Sequence, residues 1–219
     1  MEDYEGQHSV ASRYGSLETV RETYLERARE CAELTLPFLV PPKGHSGSTK
    51  YVTPYQGIGA RGVNNLASKL LLALVPPNAP FFRLQIEDFV LKEMEQDKPL
   101  KTDVEKALGE VERAVMGNVE MSADRVQIFE CLKHLIVSGN CLLVVEDSGL
   151  RLFPLERFVI KRDPMGEVLE IITKECVSPN SLPEDIAELV QTQLEGDEKT
   201  VDIYTHICRR QKHFEVLQE

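Results

Sequence analysis

Tryptophan is absent from the 219 residues and only 6% are aromatic. Base-stacking platforms for single-stranded nucleic acid need several exposed rings, so that class of function is disfavoured from the start. No apolar run reaches the roughly 18–20 residues required to cross a bilayer. The opening MEDYEGQHSV is acidic and polar where a secretory leader would be basic and then apolar. These absences predict a protein made and kept in the cytoplasm, with no membrane segment. Cysteine is sparse: Cys31, Cys131, Cys141, Cys176 and Cys208 are odd in number, widely spaced and without a CxxC pair. Neither a disulfide framework nor a zinc site is expected from that spacing, and buried reduced thiols are the favoured reading.

Positive charge is also short. The formal net charge is −11, which argues against gripping DNA through its phosphates, because non-specific duplex binding needs a concentration of Lys and Arg. An acidic wall can nevertheless let a duplex pass without sticking. What the chain does have is 42% hydrophobic residues, enough to bury a core.

Periodicity predicts an amphipathic helix from Ser16 to Thr35, with Leu17, Val20, Tyr24, Cys31 and Leu34 on its apolar side and Pro37 beyond its end. The following PPKGHSGSTKYVTPYQGIGARG has no apolar period and reads as a long connection. A helix resumes at Val63, with Leu66, Leu70, Ala73 and Leu74 on one side, and stops at Pro76 and Pro77. FFRLQI alternates as a short strand would. Two further helices are expected, one over 101–120 carrying Val104, Leu108, Val111, Val115 and Val119, and one behind a cap at Ser122 carrying Val126, Phe129, Leu132 and Ile136.

From Cys141 the composition shifts to Val, Ile, Leu and Phe in short runs, separated by turn signals at 147–149 and 163–166. A small antiparallel sheet is expected there. Ser181, Pro183 and Glu184 predict a helix start, VDIYTHI a strand, and FEVLQE the beginning of another whose hairpin looks cut short. The fold class is therefore α+β, with a mainly helical region 1–140 and a β-rich region 141–219 that continues past the chain end.

Several motifs suggest chemistry. Gly57-Ile58-Gly59-Ala60-Arg61-Gly62 matches GxGxxG, but a dinucleotide site requires a buried strand before it, and YVTPYQ contains Pro54. A structural turn into a helix is favoured. Gly44 to Lys50 has the flavour of a phosphate loop, yet Tyr51 stands where Ser or Thr must follow the lysine; a polar loop is favoured, with backbone amides as its one route to an anion. His8, His45, His134, His206 and His213 are scattered, without metal-ligand spacing, and His134 reads as a satisfied, partly buried residue. Glu110 and Glu112 lie on a polar helix face, where solvated charge is the expected role. No catalytic, metal-ligating or cofactor-binding residue is assigned, and an assembly component rather than an enzyme is expected.

The run Tyr55-Gln56-Gly57-Ile58-Gly59-Ala60-Arg61-Gly62-Val63-Asn64-Asn65-Leu66-Ala67-Ser68-Lys69-Leu70 resembles the signature block of portal proteins, the head-to-tail connectors of short-tailed DNA bacteriophages. Phe129 to Asn140, the stretch around Val159 to Asp163 with Gly166, and the segments at Leu182 to Ile186 and Val201 to Ile207 are similar to later blocks of that family in the same order. The resemblance implies the outer wing of a portal subunit, the stem and clip coming later in a longer chain. It further implies a homo-oligomeric ring of about twelve copies at one capsid vertex, in contact with capsid, scaffold, terminase and tail adaptor proteins. Duplex DNA would pass through without sequence-specific binding, in a virion assembled in the bacterial host cytoplasm. Two alternatives stand beside it: a nucleotide- or dinucleotide-binding enzyme using Gly57, Gly59 and Gly62, and a monomeric adaptor module.

Overall fold

The structure is a computed structural model that describes residues 9–46, 48, 50–51, 54–77, 79–86, 98–182, 200–210 and 214–219. Helix α1 (Val10–Leu34) starts six residues ahead of its expected position. The reason is local: Ser9 precedes it, and its Oγ accepts a hydrogen bond from the Ser12 amide at 3.2 Å. The first turns then find a sheet to pack on. The buried side chains of α1 are Tyr14, Arg21, Leu25, Ala28 and Ala32, whereas Val20, Tyr24, Cys31 and Leu34 of the expected apolar side face outward and Leu17 is half-buried. Two alanines carry little weight in a hydropathy pattern, yet they let α1 approach its neighbours closely, so the buried stripe was rotated from the one that the bulkier residues suggest.

Helix α2 (Ile58–Leu74) likewise begins five residues early. Its buried positions are Val63 and Ala67, while Leu66, Leu72 and Leu74 are exposed. FFRLQI, expected as a strand, joins no ladder; among the described residues its backbone is held by the Glu112 carboxylate, which accepts the Leu84 amide at 2.6 Å. Helices α3 (Lys98–Met121) and α4 (Asp124–Ser138) follow as expected. The residue at the α4 N-cap position is Ala123, and Ser122, one residue earlier, supplies the hydroxyl that accepts the Asp124 amide at 3.3 Å. Of the α4 positions expected inside, Leu132 is buried, Phe129 and Ile136 are half-buried and Val126 is exposed.

The expected single sheet is two. Strands β1 (Cys141–Glu146) and β2 (Gly149–Pro154) form a hairpin with Glu146 opposite Gly149 and Cys141 opposite Pro154. Pro154 has no amide to continue a ladder, and Leu155–Arg157 makes one 3-10 turn that redirects the chain. Strands β3 (Phe158–Arg162), β4 (Val168–Val177), β5 (Val201–Arg209) and β6 (Phe214–Gln218) then build a four-stranded antiparallel sheet in sequence order. The last hairpin, expected to be incomplete, is paired from Arg209–Phe214 to Thr205–Gln218. Ser181 lies in a 3-10 turn, Pro179–Ser181, and the helix expected to follow it falls outside the described residues.

One cluster of buried side chains joins Leu25, Ala28 and Ala32 of α1 to Leu36, Leu39, Val40, Val63, Val137, Phe153, Leu155 and Phe158. A second, under the start of α1, holds Tyr14, Val159 and Ile172. Helix α1 packs on the four-stranded sheet through β3 and β5, while α4 covers the β1–β2 hairpin, and side chains of both helices meet Phe153 and Phe158 in the first cluster.

Candidate functional site

The glycine motif is part of α2 rather than a loop feeding it. Gly57 immediately precedes the helix, Gly59 and Gly62 fall in its first two turns, and the described residues before it, 54–57, form no strand. Among the described residues the strand–turn–helix geometry of a dinucleotide site is missing at this point. What Gly59 does is steric: a Cβ there would run into the backbone carbonyl of Leu34 at the end of α1, while the same atom on Gly57 or Gly62 meets nothing within 4 Å. The described residues between Gly44 and Tyr51 are exposed, with the His45 ring stacked on Tyr51 at 5.1 Å between centroids. Gly47 and Thr49 of that loop, and the histidines at 8 and 213, lie outside the described residues.

His134 is buried, as expected, but among the described residues its Nδ1 has no hydrogen-bond partner. Burial pushes its pKa down, so it is neutral at pH 7. Cys131 on α4 and Cys141 at the start of β1 place their sulfurs 3.2 Å apart. The hydrogen bond from Cys141 lowers the Cys131 thiol to about 7, and the same bond raises Cys141.

Two polar clusters tie α1 to the sheets. The first centres on Arg21, only 8% exposed. Its Nη1 shares its two N–H groups among the carbonyls of Leu155 (3.2 Å), Glu156 (2.8 Å) and Phe158 (2.9 Å) and the Tyr14 hydroxyl (3.0 Å). Its Nη2 donates to Glu18 at 2.8 Å. Leu155 and Glu156 belong to the 3-10 turn between β2 and β3, and Phe158 is the residue at which β3 opens. A guanidinium is the side chain that can satisfy several diverging acceptors from one planar fork.

The second cluster lies on the face of the four-stranded sheet covered by the start of α1. Glu170 on β4 stands opposite Cys208 on β5, and His206 is two residues along, opposite Ile172. The period of two puts all of them on one face. Arg13 of α1 grips Glu170 with Nη2 to Oε2 at 2.7 Å and Nε to Oε1 and Oε2 at 3.0 and 3.2 Å. The His206 Nε2 is 2.9 Å from Glu170 Oε1 and 2.8 Å from the Cys208 sulfur. Burial alone would raise the Glu170 pKa, but the Arg13 hydrogen bonds and charge, followed by His206, hold it below the ordinary carboxylate value. Burial, then the Glu170 charge, pushes the Cys208 thiol up.

Sequence spacing missed this cluster because His206-Ile207-Cys208 meets Glu170 only through strand register. Its one visible signal was a His in the predicted strand VDIYTHI with a Cys two positions on, one residue past the predicted end, a spacing that puts both on the same face once the strand extends that far.

A family model described as bacteriophage head to tail connecting protein matches residues 7–218. The chain is 39% identical over 211 residues to the portal protein of Enterobacteria phage T3, covering 92% of this chain and 39% of that protein. It is 40% identical over 204 residues to the portal protein of Escherichia phage T7 (89% and 38%), and 30% identical over 210 residues to that of Enterobacteria phage SP6 (93% and 40%). The chain therefore spans about two fifths of the length of the curated relatives that it matches.

Proposed function

Because the chain belongs to the bacteriophage head to tail connecting protein family, we propose that it is the N-terminal portion of a portal subunit, a structural virion component at the junction of head and tail. The observation that carries this reading is the match to phage portal proteins at about 40% identity along nearly the whole chain. Assembled, the full-length protein forms a closed homo-oligomeric ring at one capsid vertex, a heterologous contact repeated until the rotation closes. About twelve copies is the number that the family resemblance implies. The ring is the conduit for packaging and ejection of duplex DNA and the attachment point for tail adaptors, and it meets terminase, scaffold and capsid protein during assembly in the host. The net charge of −11 supports a passage for DNA rather than a grip on it. Among the described residues no helix is long and apolar enough to cross a membrane.

Within the subunit, the helical region 1–140 and the β-rich region 141–219 together form the outer wing. The polar stretch 41–56 is an arm toward a neighbouring subunit or the capsid. If protease cut that stretch equally fast in free subunits and assembled rings, the arm would be abandoned. The test of the function itself is the native mass and negative-stain image of the full-length gene product. Rings of about a dozen copies with a central hole are expected, and a clean monomer or dimer at micromolar concentration would overturn the reading.

A further inference from the structure

The second polar cluster has a composition that an ion pair does not need. We propose that Glu170, His206 and Cys208 form a binding site for a borderline-soft divalent cation of the zinc class, seated between β4, β5 and the first turns of α1. One carboxylate oxygen, one imidazole nitrogen and one sulfur lie within 4.8 Å of one another. Carboxylate, imidazole and thiolate are the three donor types that zinc combines, at metal–ligand distances of roughly 2.0–2.3 Å. Hard cations such as magnesium and calcium would reject the sulfur and the imidazole.

The supporting shell is also in place. Glu170 and Cys208 face each other across the ladder, which fixes their separation by backbone register rather than by flexible side chains. Arg13 Nη2 donates to Glu170 Oε2 at 2.7 Å and its Nε to Oε1 at 3.0 Å, and the His206 Nε2 lies 2.9 Å from the same Oε1. An outer hydrogen bond of that kind orients a ligating carboxylate. Glu170 is 8% exposed and the other two ligands are half-buried; a water would complete a tetrahedral set of four. On coordination the Cys208 thiol gives its proton to the buffer and the sulfur binds as thiolate; no electron is transferred and no further reactant is needed.

The test is a cobalt(II) and zinc(II) titration of the tag-free 219-residue chain under reducing conditions. Cobalt(II) is expected to bind at one equivalent, with a thiolate-to-cobalt charge-transfer band in the near ultraviolet and the visible bands of a tetrahedral site, and zinc should bleach both. Cys208→Ser should remove the charge-transfer band, and His206→Gln should weaken binding by at least about tenfold, with far-ultraviolet circular dichroism unchanged in each. Cys131→Ser with Cys141→Ser, which removes the other close thiol pair and keeps Cys208, should retain the spectrum and stoichiometry. The site is overturned by no band at tenfold excess cobalt, by a band that survives Cys208→Ser, or by a band lost in the Cys131/Cys141 double variant.

Discussion

Arg21 looks out of place when α1 is read as an amphipathic helix, since it stands on the buried stripe between Tyr14 and Leu25. Nothing in its sequence neighbourhood says that three carbonyls from residues more than 130 positions away would converge on it. Those carbonyls exist because Pro154 ends one ladder and a single 3-10 turn intervenes before the next. Arg21→Met keeps the bulk of the stem but leaves the turn's acceptors dry. It should cost about 2–4 kcal/mol in urea-denaturation stability, the penalty for several buried carbonyls left unpaired. A loss under about 0.5 kcal/mol would mean that water takes the place of the guanidinium.

Glu170 belongs to the same scale. Its folded-state pKa lies below the ordinary glutamate value of 4.5 because of Arg13 and His206, which overcome the opposing effect of burial. A depressed carboxylate contributes stability that is fully present above its unfolded-state pKa and is lost as pH falls through the folded-state value. Wild type should therefore be more stable than Glu170→Gln at pH 7, with the gap closing progressively below about pH 4.5 in a series of urea midpoints. A gap independent of pH would show that the carboxylate acts through shape and not charge. None of this was visible in the sequence, where Glu170 is one of 36 acidic residues and its partners come from α1 and from β5.

At the scale of elements, the order of the described helices and of most strands was legible, because turn residues punctuate them, Pro76, Gly139 and the 147–149 and 163–166 turns all standing where chain direction changes, whereas FFRLQI proved no strand and the break between β2 and β3 went unread. Starts and faces were less legible. Helix α2 begins at Ile58, not Val63, because glycines that weaken a helix in isolation are tolerated once tertiary contacts hold it. The division into two sheets was hidden in a single proline. The same glycines make a clean pair of opposite predictions. Gly59→Ala forces a methyl against the Leu34 carbonyl, which is backbone and cannot swing aside, and should destabilise by about 1–3 kcal/mol. Gly62→Ala points into open space and should stabilise by up to about 1 kcal/mol through helix propensity. Matching thermal melts for the two variants would mean that the α1–α2 approach is looser than the described backbone.

For the whole molecule, the family was legible from one block, Tyr55 to Leu70, whereas the way α1 and α4 join the two sheets in one core was not, since that depends on contacts between residues far apart in the chain. The portal reading places duplex DNA near a protein whose acidic residues outnumber its basic ones by 36 to 25. Affinity for a duplex scales with the phosphates that Lys and Arg neutralise, and it is strongest at low salt. If the chain acts as a wall and not a grip, fluorescence anisotropy of a labelled duplex should stay flat up to tens of micromolar protein even near 50 mM salt, the condition most favourable to binding. A saturable rise that fades by about 200 mM salt would reveal a local basic face strong enough to override the net charge. This chain would then itself hold DNA, and its acidic balance would no longer support the portal reading.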